Sequence, residues 1–146
     1  MVGLTVGHDR AALYHSAIEG VALGSANVIK RIKELGIRCN RIVSAGGHVK
    51  NPLWLKAAVD AIGQPIELCE HANLTIYDTV ASAAVGAGIM KDLFSASRFV
   101  APKTRTLYPD PAAYAIYSDL LLDYLELSDT LALLSRRLAA RQLEVR

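Results

Sequence analysis

Residues 44–54, Ser-Ala-Gly-Gly-His-Val-Lys-Asn-Pro-Leu-Trp, are the ones whose types and spacing best suit binding chemistry. Two glycines follow a short apolar run, and Asn51-Pro52 then opens a helical pattern. Gly46 and Gly47 lack a Cβ, so a ligand can approach the main chain closely there. The start of the following helix adds N–H groups and a dipole that favours an anion or a polar group. That combination suits a nucleotide. The same residues also suit a plain tight turn followed by an asparagine cap, and residue type alone leaves both readings open. Lys50 is read as a solvated loop lysine or as a contact to phosphate. Trp54, three residues past Asn51, is read as an anchor into the core. His48 lies in the loop itself and within reach of a nucleotide bound there.

The remaining reactive side chains are arranged for nothing so definite. His8, His15, His48 and His71 show no ligand spacing, and no metal site is expected. Ser44 ends a strand without visible His and Asp partners, so nucleophilic catalysis has no support. Cys39 and Cys69 each sit beside an expected strand, with no Cys-x-x-Cys between them. They are expected to be free thiols, in keeping with a reducing cytoplasm.

These residues need elements to hold them. From Asp9 to about Leu35, Ile18, Val21, Ser25, Val28, Ile32 and Leu35 recur at spacings of three and four, one face of a long helix. Gly20 and Gly24 fall inside it, each at a cost of about 1 kcal/mol relative to Ala, so a neighbour is expected to pack closely on their side. Residues 41–45 read as a strand. Asn51 is a good N-cap and Pro52 suits the first helical position of a helix reaching Ile62, which Gly63 ends. Residues 65–69 read as a second strand, 70–78 as a connection, and 79–90 as a helix of small residues. Residues 101–111 read as a loop, followed by helices over 112–127 and 129–142. Helix, strand, helix, strand, helix with short joints argues an α/β layer with parallel strands. Two strands make a poor core by themselves, so the layer looks like part of a larger one.

The 146 residues are enough for one domain or part of one. A hydrophobic fraction of 52% is high, and tight helix packing or an apolar face meant for a partner would explain it. No apolar run approaches the roughly 18–20 residues of a membrane span, and no signal peptide is expected at the N-terminus. The net charge is +2. Arg136, Arg137, Arg141 and Arg146 against Asp129 and Glu144 give the C-terminal segment that whole excess. Without interleaved aromatics this basic tail is read as a solvated helix end, with no nucleic acid and no membrane as partner.

Four stretches, 3–24, 44–66, 80–88 and 108–127, together resemble the carboxy-terminal part of FGGY-type carbohydrate kinases, whose members include glycerol kinase, xylulokinase and ribulose-kinase relatives. The most specific piece is Gly-Gly-x-x-x-Asn-Pro-Leu-Trp followed by Asp-Ala-Ile-Gly-Gln-Pro. The resemblance implies a partial actin-like ATPase (ribonuclease H-like) domain over residues 1–127, with 128–146 as a helical basic tail. It implies ATP with Mg²⁺ as cofactors and a sugar or polyol hydroxyl as acceptor. Gly46 and Gly47 would approach the nucleotide, and Asn51 would reach its adenine or ribose side. Asp9, Asp60 and Asp78 do not match the aspartate that deprotonates the acceptor. That base, its β-meander, the Mg²⁺ ligands and most sugar contacts belong to family segments without a counterpart in this sequence. The chain is therefore expected to be inactive alone, to bind sugar only with the missing amino-terminal part, and to self-associate through uncovered faces. Besides this reading stand a non-catalytic module that binds nucleotide or protein, and a ligand-free scaffold.

Overall fold

The computed structural model describes residues 3–69, 74–99 and 103–144. Helix α1 (Arg10–Glu34) starts where Asp9 caps it, its Oδ1 accepting the Ala12 N–H at 2.8 Å. It stops where Gly36 turns left-handed at φ +76°, with Arg31 and Lys33 in the last turn to meet the dipole. Strand β1 (Ile42–Ser44) follows, then a single 3₁₀ turn over Gly47–Lys50 and helix α2 (Pro52–Ile62). Gly63 closes α2 at φ +67°. Strand β2 (Ile66–Cys69) lies parallel to β1, with Ile42 opposite Ile66 and Ser44 opposite Leu68. Helices α3 (Leu74–Gly86) and α4 (Leu93–Phe99) come next, then strand β3 (Thr104–Leu107) and helix α5 (Pro111–Glu144). The sheet order is β1-β2-β3, and β3 runs antiparallel to β2.

Helix α2 is the centre of the packing. One side sets Leu55 and Val59 on the sheet residues Ile66 and Leu68, with Ile42 and Leu107 at the margin. Val59 and Leu68 are 1% and 2% exposed, and each such burial contributes roughly 1.5–3 kcal/mol. The other side sets Ala57 and Ala61 against Ile18, Ala22, Leu23 and Ala26 of α1 and Tyr117 of α5. Trp54 packs on this second cluster, as an anchor should. Asp60 is buried between the layers. It holds Lys56 Nζ at 2.8 Å and accepts the Asp110 N–H at 2.9 Å, tying α2 to the entry of α5.

Several expectations need correction. The buried face of α1 is Ile18, Ala22, Leu23 and Ala26, whereas Val21, Val28 and Leu35 are 47%, 57% and 76% exposed. The α1–α2 seam selects alanines because they let two helices approach closely, and bulk alone pointed to the wrong stripe. Of the two helical glycines only Gly24 is closely approached, with the Tyr124 hydroxyl 3.5 Å from where a Cβ would sit. Gly20 meets nothing within 4 Å. The 101–111 loop contains β3, whose Thr-Arg-Thr-Leu run carries one apolar residue; the ladder to β2 makes it a strand. Helix α3 starts five residues earlier than expected, at Leu74, so Asp78 lies inside it. The two C-terminal helices are one, unbroken through residues 127–128, where no Gly or Pro interrupts it. From Leu133 to Ala140 every residue of α5 is exposed. Arg146 and His71 lie outside the described residues.

Candidate functional site

Strand β1 ends at Ser44, and the chain must turn sharply to enter α2. Gly46 takes φ +110° and ψ −170°, a conformation open in practice to glycine alone. The turn closes through the Val49 N–H to the Gly46 carbonyl (3.2 Å) and the Asn51 N–H to the His48 carbonyl (3.0 Å). Gly47 is different. Its φ is not positive, and a Cβ there would meet nothing within 4 Å. Neither packing nor backbone geometry requires a glycine at 47, although in such a turn glycine costs roughly 0.5–1 kcal/mol relative to Ala.

Asn51 caps α2 as expected, with Oδ1 accepting the N–H groups of Leu53 (3.1 Å) and Trp54 (3.2 Å). Pro52 has no N–H and Leu55 donates to the Asn51 carbonyl at 3.1 Å, so the first donors of α2 are already used. The anion-facing helix end anticipated from the residue types is therefore closed. Among the described residues the unbonded backbone donors of the turn are instead the N–H groups of Gly46, Gly47 and His48. Asn51 Nδ2 donates to the Tyr14 hydroxyl of α1 at 3.2 Å, leaving its second amide hydrogen for another acceptor.

The turn also brings together a pair that spacing did not reveal. Ser44 Oγ and His48 Nε2 lie 2.6 Å apart, partly buried, and the His48 ring stands 6.1 Å from that of Trp54 at 42°. The available signal was the Ser-x-Gly-Gly-His run: two glycines allow the chain to fold a histidine back onto a serine four residues earlier. Among the described residues no carboxylate bonds to His48, so the pair does not extend to a triad. Lys50 is exposed. Elsewhere His8 bonds to Thr5 and His15 pairs with Glu19. Among the described residues no three His, Cys, Asp or Glu side chains gather as a metal site would require. Cys39 is half-buried, Cys69 buried, and both are free thiols.

At the opposite end of the strands, Arg41 grips Glu67 with two bonds of 2.8 and 2.7 Å. That hydrogen bonding holds the Glu67 carboxyl below its usual range. The pair lines a cavity of about 130 Å³ with Gln64 and Thr106, remote from the glycine turn.

Residues 1–87 match the model of the FGGY family of carbohydrate kinases, C-terminal domain. A ribulokinase from Mycolicibacterium smegmatis is 28% identical over 130 residues, covering 88% of this chain and 23% of the relative. An L-xylulose/3-keto-L-gulonate kinase from Escherichia coli (strain K12) is 27% identical over 115 residues, 79% of this chain and 23% of the relative. A solved structure from Brucella ovis, described as a xyloylose kinase, superposes with a TM-score of 0.76 at 27% identity, over 91% of this chain and 27% of that one. The chain thus spans about a quarter of the length of the relatives it matches.

Proposed function

This chain belongs to the FGGY family of carbohydrate kinases through its C-terminal domain, and from that premise we propose that it forms the ATP-binding portion of such a kinase. In this reading the sheet with α1, α2 and α5 is part of an actin-like ATPase (ribonuclease H-like) domain. Residues 1–127 are the kinase-like part and 128–146 the basic tail, the division falling within α5. Gly46 and Gly47 bring the main chain against the nucleotide. Asn51 contributes its remaining amide hydrogen toward the adenine or ribose side. The reaction is transfer of the γ-phosphoryl group of ATP to a sugar or polyol hydroxyl, the acceptor being held only together with an amino-terminal part.

Catalysis of this kind is positioning and charge stabilisation. The residues here bind and orient one side of the nucleotide; they supply no base. ATP in this family carries Mg²⁺, for which the described residues offer no cage of acidic or imidazole ligands. In this reading the chain alone is inactive. On the same reading it works in the cytoplasm, with neither nucleic acid nor membrane as partner.

Gly47 carries the reading. A glycine that the fold does not need, with open space where its side chain would be, is what close approach by an external group would demand. The test is ADP and ATP binding by the full chain and its Gly47→Val variant. Loss of binding with unchanged helix content is expected, since a Cβ at this position meets no protein atom within 4 Å. Equal affinity in the two chains would overturn the assignment. A second reading, a non-catalytic nucleotide- or protein-binding module, draws on Val21, Val28, Ile76, Val80 and Phe94, all large, apolar and exposed. It predicts nucleotide binding that no amino-terminal kinase part converts into turnover.

A further inference from the structure

A segment containing Gly46 and Gly47 has little intrinsic conformational restraint, and ordering it costs entropy. Something must hold it. The two backbone bonds of the turn both lie at or beyond Gly46, and Asn51 is occupied with α2 and Tyr14. The bond that spans the two glycines and ties the end of β1 to the turn is Ser44 Oγ to His48 Nε2, 2.6 Å. The His48 ring also stands 6.1 Å from the ring of Trp54, which is itself packed on the α1–α2–α5 cluster. A chain of contacts therefore runs from strand to turn to core.

We propose that Ser44 and His48 are positioning residues of the nucleotide site, a brace that holds the Gly46-Gly47 backbone in its receiving conformation. This rests on the nucleotide-binding reading above. The brace touches no phosphate; it raises the fraction of molecules whose turn is already in the competent shape. Losing it lowers apparent affinity by that fraction. An ordinary hydrogen bond of this kind sets the scale at about five- to tenfold.

Trp54 is the only tryptophan, so its fluorescence reports the turn during titration of the full chain with ADP. Ser44→Ala and His48→Ala are each expected to weaken ADP binding about five- to tenfold. The double variant should be no weaker than either single one, because both remove the same bond. His48→Gln, whose terminal amide can meet Ser44 Oγ, should recover most of the affinity. Amide hydrogen exchange supplies a readout independent of ligand: His48→Ala should speed exchange at the Val49 and Asn51 amides, whose N–H groups close the turn, and leave the α2 amides 55–62 unchanged.

If the parent chain binds no ADP, the nucleotide reading itself fails. If the parent binds and His48→Ala binds equally well, the brace alone is wrong. Additive losses in the double variant, no recovery in His48→Gln, or faster exchange throughout α2 would likewise overturn it, the last by making the pair a general stabiliser.

Discussion

Gly63 offers a sharp test of how α2 is joined to α5. It ends α2 at φ +67°, and a Cβ built on it would lie 2.2, 2.5 and 2.7 Å from three ring carbons of Tyr114. Gly63→Ala therefore incurs two separable costs. The left-handed backbone costs an L-residue about 1–2 kcal/mol. The ring must also leave, and because Tyr114 is already 44% exposed it can swing outward. Its covered area is then on the order of 100 Å², which at about 25 cal/mol per Å² bounds that loss near 2.5 kcal/mol. The expected total is about 2–4 kcal/mol. Urea unfolding followed by circular dichroism at fixed protein concentration measures it. In a Tyr114→Ala background the steric part disappears, and Gly63→Ala should cost only the backbone share of about 1–2 kcal/mol. An equal loss in both backgrounds would show that Tyr114 does not cover Gly63. A loss below about 0.5 kcal/mol would refute the left-handed turn as well.

Asp60→Ala should destabilise by about 1–3 kcal/mol, since it leaves the Asp110 N–H without an acceptor; Asp60→Asn, which keeps one, should lose less, and equal losses would assign the effect to the Lys56 pair. Tyr117 donates to Glu19 Oε1 at 3.1 Å, and burial, then the negative charge of Glu19, pushes its hydroxyl from 10.0 up to about 12. The folded state thus holds this proton more tightly than the unfolded chain. The associated stability is present below pH 10 and is lost as pH rises through about 12. Tyr117→Phe should flatten that alkaline decline, and an unchanged decline would remove Tyr117 as its cause. The exposed Val21, Val28, Val80 and Ile89 should drive self-association, which sedimentation over a range of concentrations would detect; a concentration-independent monomer would contradict it.

What the amino-acid order determined by itself was local: where elements start and stop, and which family they spell. Asp9, Gly36, Asn51-Pro52 and Gly63 act on the backbone within a few residues of themselves, so caps and stops were legible without a fold. The strand, Gly-Gly, capped-helix order of 41–62 was legible for the same reason, and so was the parallel pairing implied by a helix between two short strands. Tertiary structure decided everything that depends on a distant partner. Strand β3 exists because β2 offers an edge; the two threonines of Thr-Arg-Thr-Leu tolerate extension, but the run has no apolar alternation to announce it. The buried stripe of α1 was chosen by the alanines of α2, since close approach outweighs side-chain size. At the site, sequence placed Gly46 and Gly47 at the turn, but only the tertiary structure distinguished them: the dihedral needs Gly46, and among the described residues nothing requires Gly47. The Ser44–His48 bond and the closure of the α2 end by Asn51 depend on side-chain directions through a tight turn, which residue spacing does not encode.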